Sequence, residues 1–216
     1  MHLLNVLNKS AEYTSICETL KRGVSPVSVV CSNAAQKAHF IASVMHEKSA
    51  RALVVSASDY EARMLFEDLK FFAGMRTCLF TSKDYIYYEV DSVSRETAYA
   101  RLRALKHITE REDAIAVTSI EALLQYTVPP ELFKNTVLSF ELGAVFNLET
   151  LCIKLIELGY ERCDTVEGIG QFSMRGGILD VFSPNYDEPV RIEFFDDEVD
   201  SIRFFDVGTQ DSIEKT

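Results

Sequence analysis

The sequence predicts an α/β domain followed by a small α+β domain, and three observations carry that expectation. Through roughly the first 120 residues, short apolar runs alternate with longer stretches of helical period, the one-dimensional mark of a parallel sheet with covering helices. A Pro129-Pro130 pair then breaks the rhythm. Beyond it, one amphipathic helix precedes several runs of period two joined by turn residues, which is how an antiparallel meander is written.

Lys9 to Arg22 has the pattern of a first helix, ended by Gly23 and Pro26. Val27 to Cys31 is a short apolar run expected to form a buried strand. Asn33 starts a second helix with Phe40, Ile41, Val44 and Met45 on one stripe. Leu53 to Ala57 is the next strand. Ser58 and Glu61 then supply a capping box for a helix buried through Ala62, Leu65, Leu69 and Phe72. Gly74 stops it, and Thr77 to Phe80 is a further strand. From Ser94 to about Ile108 the spacing predicts a helix with Ala98, Leu102, Leu105 and Ile108 inward and Arg95, Arg101, Arg103 and Lys106 mostly outward. Ala114 to Thr118 completes the sheet, and a short helix runs from Ser119 to Tyr126. The first domain is thus placed at residues 1–131.

In the second domain, residues 132–208, Thr136 to Phe140 has strand composition. Asn147 caps a helix that turns Leu148, Leu151, Leu155 and Leu158 inward, and Gly159 ends it. Gly176 and Gly177 open a run from Ile178 to Phe182, closed by Ser183, Pro184 and Asn185. Asp196 and Asp197 form the tight turn between Val190–Phe195 and Val199–Phe205, since Asp tolerates the positive φ a two-residue hairpin needs. Alternation directs Val190, Ile192 and Phe194 to a core face and Arg191, Glu193 and Phe195 to the other. Arginine beside an exposed aromatic is the composition of a protein–protein contact centre. In the plainer alternative Phe195 folds over the hairpin end onto a neighbouring layer.

A hydrophobic share of 47% with 25% charged residues suffices for a real core. The net charge of −11 argues against a surface built broadly for phosphate neutralisation. Five cysteines with no CxxC pair and four scattered histidines suggest reduced thiols in a cytoplasmic protein and no metal site. No apolar run approaches a membrane span, and the N-terminus carries no targeting signal.

Candidate chemistry is sparse. A phosphate loop needs glycines, then Lys, then a hydroxyl residue; Cys31 to Ala38 retains only Lys37 of these, so the position is degenerate and no ATP is expected there. Phe194 to Glu198 imitates an acidic Walker B strand, but hairpin placement makes it a turn. Gly168-Ile169-Gly170 precedes no helix and is no dinucleotide fingerprint. Arg95, Arg101 and Arg103 are read as a solvated helix face rather than DNA contacts, and Asp180 and Glu193 as solvated carboxylates. Tyr85, Tyr87 and Tyr88 have base-stacking composition, although packing against the next helix explains them as simply.

The segments RGGILDVF and PVRIEFFDDEVDSIRFFD, with Thr209-Gln210 after them, resemble the UvrB-homology region of the bacterial transcription-repair coupling factors (Mfd), shared more distantly by UvrB. The resemblance is strong from Gly159 to Gln210 and collinear upstream. It implies a helicase-like α/β domain with a degenerate P-loop and a small inserted α+β domain that binds UvrA, residues 209–216 starting the return to the first domain. By motif matching it puts the UvrA contacts at Arg162, Arg175, Arg191, Glu193, Phe194 and Phe195, of which strand alternation favours Phe195 over Phe194 as the exposed ring. Where UvrB has a further arginine before the turn, Ser173 stands here. The eroded loop around Lys37, and a connection from Tyr88 to Ser94 too short for UvrB's DNA-probing hairpin, favour the coupling factor. The implied function is a UvrA-recruiting module without catalysis of its own. ATP, magnesium, RNA polymerase and DNA would belong to domains further along, and C-terminal parts of a full-length protein could mask the same patch. The alternative is an ATP-dependent, UvrB-type DNA-processing fragment.

Overall fold

The computed structural model describes residues 3–83 and 95–213, which form two compact units, Met1–Thr127 and Val128–Thr216. The stretch containing Tyr85, Tyr87 and Tyr88, and the connection to Ser94, lie outside the described residues.

The first unit opens with helices α1 (Ala11–Lys21) and α2 (Ala34–Lys48), capped by the side chains of Ser10 and Asn33. Strand β1 (Ala52–Ser56), helix α3 (Asp59–Ala73), β2 (Thr77–Phe80), α4 (Glu96–Glu110), β3 (Ile115–Ser119) and the short α5 (Ile120–Leu123) follow. The three strands form a parallel sheet in the order β1-β3-β2. Ala38, Ala42 and Met45 of α2 and Ala62, Leu65 and Leu69 of α3 cover one face over Ile115 and Val117. Ala104 of α4 packs on the other, against Cys78, Phe80 and Ala116. The α/β expectation holds, with helices on both faces.

Two expectations fail in this unit. Val27–Cys31 joins no sheet, and Val30 is 94% exposed. An apolar run becomes a strand only where a neighbour accepts its backbone, and β1, the strand that follows, bonds to β3 alone among the described residues. The strand–loop–helix layout around Lys37 is therefore absent, and Lys37 lies exposed in the first turn of α2. The inward stripe of α4 is also rotated. Arg101, expected outside, is buried, whereas Ala98 is exposed. The Arg101 guanidinium stacks 4.0 Å from the centre of the Phe80 ring and donates to the Thr81 carbonyl, so the end of β2 absorbs its charge and its apolar stem.

The second unit contains α6 (Pro130–Asn135), α7 (Leu148–Glu157) and a six-stranded sheet: β4 (Glu161–Arg162), β5 (Gln171–Arg175), β6 (Ile178–Val181), β7 (Val190–Phe195), β8 (Glu198–Phe205) and β9 (Ser212–Ile213). The strands lie in chain order, antiparallel except for the β4–β5 pair. Leu151 and Leu155 of α7 pack on Phe172, Leu179, Val181, Val190, Ile192 and Phe194, which fill one face of the sheet. Thr136–Phe140, expected as a strand, pairs with nothing in the sheet. Leu138 and Phe140 pack on the core through their side chains instead, so the apolar pattern records burial without a ladder.

Candidate functional site: the outer face of the second sheet

Strand alternation assigns every side chain of the meander to one of two faces. The face away from α7 carries Arg175 on β5, Asp180 on β6, Arg191, Glu193 and Phe195 on β7, and Ser201 and Arg203 on β8. Register sets them in two rows. Ser173, Asp180, Arg191 and Arg203 are successive cross-strand partners, and one pleat nearer the turns so are Arg175, Ile178, Glu193 and Ser201.

Asp180 is the centre of the first row and is fully buried. Its Oδ1 accepts from Nε of Arg191 at 2.7 Å, and its Oδ2 from Nη2 of Arg191 at 2.9 Å and Nη2 of Arg175 at 2.8 Å. An isolated carboxylate in such a place would be costly, and the bidentate arginine is what makes it tolerable. The third nitrogen of Arg191 donates to the Gln210 carbonyl at 3.1 Å, and its guanidinium lies 4.5 Å from the centre of the Phe205 ring. The hydrogen bonds that Arg191 donates to Asp180 hold it above the ordinary arginine range despite partial burial. In the second row, Ser201 donates to Oε2 of Glu193 at 2.9 Å and Arg203 pairs with the other oxygen. The Ser201 bond, with Arg203 behind it, holds the Glu193 carboxyl below the usual carboxylate range.

The six residues singled out from the sequence divide accordingly. Phe195 is 81% exposed, so it does not fold onto another layer. Arg175 keeps 53% of its side chain in solvent while one nitrogen holds Asp180. Glu193 is half-buried between Ser201 and Arg203. Arg191 shows only 16% of its side chain, and all three of its nitrogens are used within the unit. It braces the face more than it offers a free charge. Phe194 sits in the core, edge-on to Phe146, which removes it from any contact set. Arg162 is exposed on β4, but its register partner is Phe172, which places it on the α7 side of the sheet, apart from the other arginines.

Asp180, read as a solvated carboxylate, is instead the buried anchor of the face. A signal was present: one acid inside an otherwise apolar strand, with arginines on both neighbouring strands, leaves the acid inside and paired. Arg203 escaped notice because only the β7–β8 register brings it beside Arg191. That register includes a bulge between Glu193 and Phe194, which sequence alone does not reveal.

Comparison with known proteins bears on this unit directly: residues 138–216 match the UvrB interaction domain family. The matched stretch falls wholly within the second unit. Across nearly its whole length the chain is similar to transcription-repair-coupling factors. It is 30% identical to that of Bacillus subtilis (strain 168) over 209 residues, 96% of this chain and 18% of the relative. It is 31% identical to that of Staphylococcus aureus (strain MRSA252) over 201 residues, 91% of this chain and 16% of the relative. The chain therefore spans less than a fifth of the relatives it matches. The stretch that matches this family holds the whole charged face described above. Among the described residues no group of His, Cys, Asp and Glu could hold a metal ion, and no helix is long and apolar enough to cross a membrane.

Proposed function

We propose that this chain recruits UvrA in transcription-coupled nucleotide excision repair, through the outer face of its UvrB interaction domain. One observation carries the reading: a large aromatic ring, Phe195, stands in solvent at the end of a face whose polar groups are locked by a buried carboxylate. Such a face is rigid before it meets a partner, so little ordering is lost on contact. Phe195 is the anchor and Arg175 the charge that a partner carboxylate meets. Arg191 acts one step removed, fixing Asp180 and through it Arg175.

The same reading gives the chain no ATP turnover of its own. What supports it is the run from Cys31 to Ala38, which lacks the phosphate-binding glycines and has no sheet strand in front of it. RNA polymerase and DNA fall to other parts of a longer protein, working in the cytoplasm.

Calorimetric titration of the chain with purified UvrA tests the reading. Phe195→Ala and Arg175→Ala are each expected to weaken binding by at least tenfold with the far-UV spectrum unchanged. Wild-type affinity in both would overturn it.

A further inference from the structure

The hairpin tip does not end at β8. Val145, in the segment before α7, bridges Glu198 in antiparallel register, and Glu198 is the cross-strand partner of Phe195. Two flanking hydrogen bonds fix this short third layer: Gly143 N–H donates to the Val199 carbonyl at 2.9 Å and Phe146 N–H to the Asp197 carbonyl at 2.8 Å. Directly opposed residues share a face of a sheet, so Phe195, Glu198 and Val145 project together. Ala144 and Phe146, on either side of Val145, pack into the core, which confirms the alternation. Val145 is 64% exposed. It is an apolar side chain left in solvent.

Charge is distributed unevenly around this pair of apolar groups. Arg175 lies on the β5 side, at the Gly176-Gly177 turn, which is the same end of the sheet as the Asp196-Asp197 turn. Asp196 and Asp197 at the turn, Glu198 between Phe195 and Val145, and Asp200 are all exposed. The arrangement is a cation, then a ridge in which the Glu198 carboxylate stands between Phe195 and Val145, with further anions at the turn.

We propose that the docking surface continues from Phe195 across Glu198 to Val145, and that its protein partner presents an apolar socket with carboxylates toward Arg175 and basic side chains toward the hairpin turn. The ridge sets where the partner sits, and the opposed charges fix its orientation, since a reversed pose would bring like charges together. This rests on the UvrA-recruiting reading above and extends it to residues outside the matched arginine and phenylalanine set.

The test titrates UvrA into the full chain carrying Val145→Glu, or Asp196→Lys with Asp197→Lys, alongside Phe195→Ala. Loss of tenfold or more with Val145→Glu, and a comparable loss with the paired lysines that shrinks in high salt, is the expected result. If Phe195→Ala abolishes binding while Val145→Glu and the lysine pair bind as wild type, the extension is wrong and the recruiting reading stands. If all three bind as wild type, both fall. Because a charge at position 145 can disturb the tip, Val145→Ser is measured too, with its amide spectrum recorded. A native-like Val145→Ser protein with undiminished affinity contradicts the proposal.

Discussion

At the scale of single residues, the groups proposed to touch a partner, Phe195 and Arg175, differ from those that hold them in place, Asp180 and Arg191. Asp180 is the test of the second kind. Asp180→Ala leaves Arg191 half-buried without its partner, and removing one member of a buried pair typically costs about 3–5 kcal/mol. Urea unfolding followed by a signal from the second unit is expected to show a loss of that order. Phe195→Ala is expected to shift the same transition by no more than about 0.5 kcal/mol, because a solvent-exposed ring contributes little to folding. Equal losses in the two variants would contradict the division of roles. The sequence displayed the six contact candidates as one set. Alternation already separated Phe195 from Phe194, as the structure bears out. What it could not separate were Arg162, Arg175 and Arg191, whose exposure depends on cross-strand partners.

At the scale of elements, turns and helix starts control the geometry. Gly177 lies so close to the next strand that an added Cβ would meet the Phe194 carbonyl oxygen at 2.8 Å, while Phe194 N–H donates to the Gly177 carbonyl at 2.7 Å. Gly177→Ala must therefore push β7 away, at a cost of about 1–3 kcal/mol, and displace Phe195 with it. Thermal unfolding and UvrA affinity are both expected to fall; a variant stable and fully binding would show that the turn does not position the ring. In the first unit, Asp59 opens α3 and bonds the Ser82 backbone and hydroxyl and the Ser119 hydroxyl. Burial raises its pKa, but these bonds outweigh it and hold the carboxyl below the usual aspartate range. A depressed carboxylate stabilises fully above its unfolded value and loses that contribution as the pH falls through its folded one. Asp59→Asn is thus expected to lower stability at neutral pH and to flatten the acid limb of the unit's stability profile below about pH 4. An unchanged acid limb would sink this assignment. Helix starts were legible at Asn33, Ser58 and Asn147, capping residues ahead of periodic runs, and each does cap. The first helix, expected from Lys9, instead starts after a Ser10 cap. The strands at Val27–Cys31 and Thr136–Phe140 were not, because apolar composition announces burial but not the neighbour that a strand requires.

At the scale of the whole molecule, the α/β and α+β rhythm was open to reading since periods of 3.6 and 2 switch sharply near the two prolines. What stayed closed was anything set by long-range register, above all the alignment of Val145 with Phe195 across β8. The proposed surface lies wholly within Val128–Thr216. That unit alone, if it retains a native spectrum, is expected to bind UvrA within about threefold of the full chain, and a larger loss would give the first unit a share of the contact. The most direct measurement is photo-crosslinking with benzoyl-phenylalanine placed at position 195 or at Ile153, which is exposed on α7 behind the opposite face. A covalent product with UvrA from position 195 and none from 153 is the expected result; crosslinking from 153 with silence at 195 would contradict the docking face.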